Sequence, residues 1–369
     1  MAEFTFGIEE EYFVVDAQTK RIAERIPDAF FEQAEAATGG RAAREFLHPQ
    51  IEVISRPFRD LNEARAELRG LRRTVADVAA RHGLAIMAAG THPTALWGDT
   101  QQTDKDRYDQ VMDDLQMIGR RDLLCGMHVH VELPEHIDRV DVMCRMLPYI
   151  PLLLALSTSS PFWQSQRTGL KGYRLAAYDE LPRTGVPELF RNSAEFDAYV
   201  AALVKAGVMD DASYVWWAIR PSLKHPTLEL RAPDSCTLVE DSLAIAALYR
   251  TMVRHLTLNP NHNAGIDAIG RAIVVENKWR AQRYGVLGTM VGDDGALPVA
   301  EMLDRVAATM KDDIAALDCE DAIRRCHTIA TDGTSADSQL AVFESRRKDH
   351  GREDALNAVS DWLAQATLQ

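Results

Sequence analysis

Apolar and ionisable residues alternate in three stretches, Phe4-Thr-Phe-Gly-Ile-Glu-Glu-Glu-Tyr-Phe-Val-Val15, Gly126-Met-His-Val-His-Val-Glu-Leu133 and Leu228-Glu-Leu-Arg231. A period of two belongs to a strand, which turns successive side chains to opposite faces. The pattern predicts three strands, each with a charged face and an apolar face. On the first, Glu9 and Glu11 point the same way, roughly 7 Å apart. Glu10 turns to the other side with Ile8 and Tyr12, where a salt bridge is its expected partner. On the second, His128 and His130 share a face with Gly126 and Glu132; on the third, Glu229 shares one with Arg231. Further strands are expected at Ile51–Ser55, stopped by Pro57, at Ala85–Ala89, and at Trp216–Pro221, which pairs with Thr227–Ala232.

The remaining periodicity is helical. Leu61, Ala64, Leu68, Leu71, Val75 and Val78 recur at helix spacing between Asp60 and His82. Asp60 with Glu63 resembles a capping box, and Gly83 supplies the stop. Helices are also expected at Ala29–Ala37 ahead of Gly39-Gly40, before the histidine strand, over 136–157 with a proline kink, and at Ser193–Ala206 ahead of Gly207. Asp241–Leu258 and Ile266–Tyr284 open a mostly helical last third. Loops are expected from Gly90-Thr-His-Pro93 to near Tyr108, over Ser157–Arg174 with phosphate-facing potential, and over Thr331–Asp337. Strands separated by such long excursions predict an α+β domain spanning 1–369, its antiparallel or mixed sheet packed against outer helices.

Charge narrows the partners. The formal net charge is −14, and no basic run stands out, so attraction to nucleic-acid phosphates is not expected. The five cysteines are scattered without a CxxC pair, which predicts free thiols in a reducing compartment. The chain opens without a secretory signal pattern, so the cytoplasm is the expected location. The apolar run Met146–Trp163 holds Pro148, Pro151 and Pro161, which predicts a buried helix and turn and no membrane span.

Chemistry follows from the charged faces. Several carboxylates and a histidine on one sheet face repel each other unless a cation sits among them, which points to a divalent metal. Two imidazoles in H-x-H can both reach an ion, and Gly126 beside them leaves room for a ligand to approach. Glu229 beside Arg231 is either a cross-strand ion pair or a metal-binding carboxylate next to a guanidinium that neutralises phosphate. Lys278, Arg280 and Arg283 fall within two helical turns, a solvated face or an anion-holding surface. No GxxxxGK[ST] or GxGxxG occurs, so a nucleotide is held by other means.

In order along the chain, Gly7-Ile-Glu-Glu-Glu11, Gly90-Thr-His-Pro93, Gly126-Met-His-Val-His-Val131, Ser159-Ser-Pro161, Trp217-Ala-Ile-Arg-Pro-Ser222, Thr227-Leu-Glu-Leu-Arg231 and Arg283-Tyr-Gly285 resemble the carboxylate–amine ligase family, also called glutamate–cysteine ligase type 2. The resemblance implies a glutamine-synthetase-like fold, a curved antiparallel sheet with helices packed on its outer face. It implies ATP and Mg²⁺ or Mn²⁺ as cofactors. It makes Glu9, Glu11, His128 and Glu229 metal ligands, joined by Glu45 and Glu52 as the acid pair of a second strand. Arg231 becomes the phosphate-stabilising residue working with Glu229, Lys278 and Arg283 further phosphate contacts, and Arg174, Arg220 and His130 substrate contacts.

The implied reaction is attack of a carboxylate, such as that of glutamate, on the γ-phosphate, followed by capture of the acyl phosphate by an amine such as that of cysteine. Small molecules are then the partners, with no nucleic acid or membrane, and a homodimer is allowed. His48 stands where the family carries an acid, which is expected to alter one metal position. Arg167 stands where relatives often carry aspartate, which is expected to change the substrate. Two rival readings remain: an amidohydrolase on a parallel barrel, and a catalytically weak nucleotide or amino-acid binding protein on the same scaffold.

Overall fold

The computed structural model describes residues 4–96, 98 and 112–369. Most of the polar loop expected to end near Tyr108 lies outside the described residues.

The alternating segments become the centre of a sheet. Its strands are β1 (Phe6–Asp16), β2 (Ala42–Arg44), β3 (Gln50–Ile54), β4 (Leu84–Met87), β5 (Met127–Glu132), and, after the short ladder of β6 (Phe162–Trp163) and β7 (Gln166–Arg167), β8 (Ile219–Pro221) and β9 (Thr227–Leu230). The order is β2-β3-β1-β5-β9-β8, with β4 on the C-terminal end of β1. Every pairing in this sheet is antiparallel, which rules out the parallel barrel of the amidohydrolase reading.

Register follows from which face is apolar, because a slip by one residue would send charges into the core. Ile8, Tyr12 and Val14 are fully buried on one face of β1, with Met127, Val129 and Val131 beside them on β5 and Leu228 and Leu230 on β9. Helices Leu61–Arg81 and Val239–Leu258 cover that face through Leu68, Leu71, Leu243 and Met252. Each such leucine contributes roughly 1.5–3 kcal/mol by leaving water. Asp60 caps the first of these helices by accepting from the Asn62 and Glu63 amides at 2.7 and 2.9 Å.

Glu10 lies on this closed face and does find a salt bridge, though a buried one. Arg72 donates to it from Nη2 at 2.6 Å and Nε at 3.0 Å, Ser242 Oγ at 2.5 Å and Tyr12 Oη at 2.6 Å. Arg72 also donates to the Cys236 and Thr237 carbonyls at 2.8 and 2.7 Å, tying sheet, helix and the segment after β9 together.

Several expectations are corrected. Glu45 and Glu52 do not share a strand: Glu45 follows β2, a strand the sequence pattern did not reveal, and Glu52 lies in β3 after the turn. Residues 157–174 are not one loop; they hold the β6–β7 ladder and lead into helix Tyr173–Tyr178. Thr331–Asp337 is not a loop either. Helix Glu320–Asp332 ends, Gly333 takes φ 99°, and Thr334 opens helix Ser335–Ala366 through a capping box with Asp337. The polar run was a helix start signal. The apolar segment Arg139–Ser157 is mostly buried within the protein and runs helically through a 3₁₀ turn at Leu147–Tyr149, the proline kink that was expected.

Candidate metal and nucleotide site

The open face of the sheet lines a cavity of about 450 Å³, within the range of small-molecule sites. Cross-strand register assembles it. Glu9 on β1 stands opposite His128 on β5, Glu11 opposite Glu52 on β3, and Glu229 on β9 opposite both His130 and Arg220. His128 Nδ1 lies 3.2 Å from Glu9 Oε2, and His130 Nε2 lies 3.3 Å from Glu9 Oε1. Glu11 accepts the Gly126 amide at 2.5 Å. Arg220 donates to Glu229 at 2.8 Å from Nε, and Arg231 pairs with the other oxygen of the same carboxylate.

Three sets of side chains place one ligand atom each within 4.8 Å of the others: Glu9, His130 and Glu229; Glu9, Glu52 and His128; Glu11, Glu45 and Glu52. Glu9 and Glu52 are each shared by two sets, so the three positions run side by side across β1. Carboxylate oxygens suit Mg²⁺ and Mn²⁺, and an imidazole among them favours the softer of the two, Mn²⁺. His128 Nε2 and His130 Nε2 are buried without a hydrogen-bond partner, which an ion in these sets would supply. The residues present fit a divalent metal.

The electrostatics carry the same mark. Burial pushes the Glu11 carboxyl up to about 7, with the Glu45 charge adding to it. Glu52 is driven well above the usual carboxylate range by burial and then by Glu45, Glu9 and Glu11. Burial and then the Arg231 charge bring His128 down to about 4, leaving the imidazole neutral and able to bind metal. Glu9 goes the other way. Burial raises it, but the His128 hydrogen bond and the nearness of both histidines outweigh that and hold it low. Like charges this close are the self-repulsion that a cation relieves.

The glutamate–cysteine ligase family 2 model matches residues 5–358 of the chain. A relative from Bradyrhizobium sp. (strain ORS 278), provisionally named glutamate–cysteine ligase 2, is 54% identical over 368 residues, covering 100% of this chain and 89% of its own. This chain belongs to glutamate–cysteine ligase family 2. A second family relative, from Rhodospirillum rubrum and under the same provisional name, is 42% identical over 99% of this chain and 96% of its own. The glutamate–cysteine ligase of Francisella tularensis, solved in complex with AMP, superposes with a TM-score of 0.70 at 15% identity, over 99% of this chain and 89% of that one. A bifunctional glutathione synthetase from Pasteurella multocida gives 0.73 at 15% identity, over 98% of this chain and 52% of that one. Those two likenesses speak to the fold, which is the glutamine-synthetase-like α+β arrangement the sequence implied. As a member of this ligase family the chain is an ATP-dependent enzyme that forms a C–N bond.

Of the residues singled out in the family motifs, Glu9, Glu11, Glu45, Glu52, His128, His130, Arg174, Arg220, Glu229 and Arg231 line the one cavity. Lys278 and Arg283 do not. Lys278 is buried in helix Ala268–Tyr284 and pairs with Asp179, just past helix Tyr173–Tyr178. It therefore anchors the helix that carries Arg174. Arg283 is exposed, its guanidinium 5.0 Å from the Tyr284 ring centre. The room at Gly126 is filled from within: a Cβ there would meet Arg174 Nη2 at 2.1 Å.

Neither departure from the family pattern reaches the cavity. His48 packs edge-on against Phe31 at 5.8 Å, and Arg167 pairs with Glu344 on the surface. Sequence reasoning missed Asp122 and Tyr178, both on the cavity wall. Asp122 lies in an aperiodic turn, and Tyr178 in a six-residue helix too short to show its period.

Proposed function

We propose that the chain joins an amino-acid carboxylate, glutamate by family precedent, to an amine such as that of cysteine, through an acyl phosphate, with Mg²⁺ or Mn²⁺ held by Glu9, Glu11, Glu45, Glu52, His128, His130 and Glu229. The single observation that carries this is the convergence of three metal-capable sets with Arg220 and Arg231 in one cavity. Bound there, the metal ions neutralise the charge of the triphosphate.

The chain's own residues then position and stabilise. Arg231, held by Glu229, keeps its Nε free of any partner and presents it for the transferring phosphoryl oxygens. Arg220 grips the opposite side of Glu229 and fixes the direction of that carboxylate. Positioning and electrostatics suffice for phosphoryl transfer, so no nucleophilic side chain is required.

The test is ADP release against a panel of carboxylates and amines with Mg²⁺ and with Mn²⁺. Release that needs acid, amine and divalent ion together is expected. No ADP above background, with ATP failing to raise Tm, overturns the reading.

A further inference from the structure

Among the described residues, every acid on the cavity wall belongs to a metal-capable set except Asp122. Its carboxylate makes no hydrogen bond or ion pair to any described residue. It stands ahead of β5 and lines the same cavity as Arg174 and Tyr178 of helix Tyr173–Tyr178. Arg174 is only 3% exposed, and its Nε has no partner. Its Nη1 donates to the Pro233 carbonyl at 3.1 Å and the Arg231 carbonyl at 3.3 Å, which fixes the guanidinium in place.

A carboxylate without a partner and a fixed guanidinium with a spare donor, on the wall of one cavity, complement a zwitterion. The nitrogen of the acceptor amine must lose its proton and attack, so an ammonium held between such fixed charges belongs to the acid partner. That partner must then react through a second carboxyl group, directed at the metal sets.

We propose that Asp122 and Arg174 form a clamp for the α-ammonium and α-carboxylate of the acid substrate, making Asp122 the residue that selects an α-amino acid over a plain dicarboxylate. The clamp rests on the ligase reading above. Burial, and then the charge of Glu11, push the Asp122 carboxyl up, a strain that a bound ammonium relieves.

The experiment compares glutamate with glutarate and aspartate with succinate, pairs differing only in the α-ammonium, by ADP release from the full chain with ATP, Mg²⁺ and cysteine or hydroxylamine. The wild type is expected to favour the amino acid of its better pair by about 10–100-fold in kcat/KM, the worth of one charged hydrogen bond. Asp122→Asn and Asp122→Ala are expected to shrink that preference to a few-fold, leaving the des-amino rate and the KM for ATP nearly unchanged. Equal losses on both members of a pair, or a preference intact in the variants, overturn the clamp. A wild type with no preference overturns it whether or not the variants fold. No ADP from the wild type with either amino acid brings down the parent ligase reading instead.

Discussion

Three consecutive glutamates on β1 have opposite fates. Glu10, on the closed face, is fully buried and fully satisfied, with Arg72, Ser242 and Tyr12 all donating to its two oxygens. Glu9 and Glu11, on the open face, look onto other acids and onto the neutral His128 imidazole, and two nearby histidine nitrogens lack partners. The same side chain is a closed internal account on one face and an open one on the other. What separates them is whether the compensating positive charge is covalently part of the chain. Where it is, the group serves stability; where it is missing, the site is built for a cation from outside.

The largest expected effect tests the closed face. Arg72→Ala leaves Glu10 buried and unpaired, and should lower the unfolding free energy by about 3–5 kcal/mol in urea titration. A loss below about 1 kcal/mol would erase the contrast between the faces. Next comes the open face. Glu9→Gln should reduce kcat/KM by roughly 10²–10³-fold, the worth of several kcal/mol of charge stabilisation, with the urea midpoint nearly unchanged. Turnover close to wild type would remove Glu9 from the metal assignment.

The smallest effect is a pH dependence. The folded chain holds the Glu11 proton up to about 7, against 4.5 for an ordinary glutamate. Folding is therefore favoured by acid at this group, and the advantage fades as pH rises from 4.5 to 7. Glu11→Gln lacks that loss and keeps an acceptor for the Gly126 amide. Without metal, the variant should match the wild type below pH 4.5 and exceed its stability above pH 7, by up to roughly 3 kcal/mol. A gap that closes with rising pH would contradict the assignment.

Much of this contrast was legible in the sequence. A period of two put Glu9 with Glu11, His128 with His130, and Glu229 with Arg231, and it sent Glu10 the other way; the register then aligned the pairs. Legibility failed where side-chain direction has no short period. Glu45 and Glu52 are linked by a turn, so their sequence spacing reported a hairpin and not a strand. Lys278 and Arg283 form a cationic stretch on a helix, but the pattern could not show that one is buried against Asp179 and the other turned to solvent. Arg174 fills the gap at Gly126 from more than forty positions away, a long-range packing event that no local motif encodes. Asp122, which we assign to substrate choice, has no pattern around it at all.

The most direct test of the central claim is Mn²⁺ binding, followed by the loss of the free-ion electron paramagnetic resonance signal on titrating the chain with ATP present. The account predicts saturable uptake by the wild type and its collapse in the Glu9→Gln, Glu52→Gln double variant, which removes a shared ligand from every set. Uptake by the double variant equal to that of the wild type would contradict it.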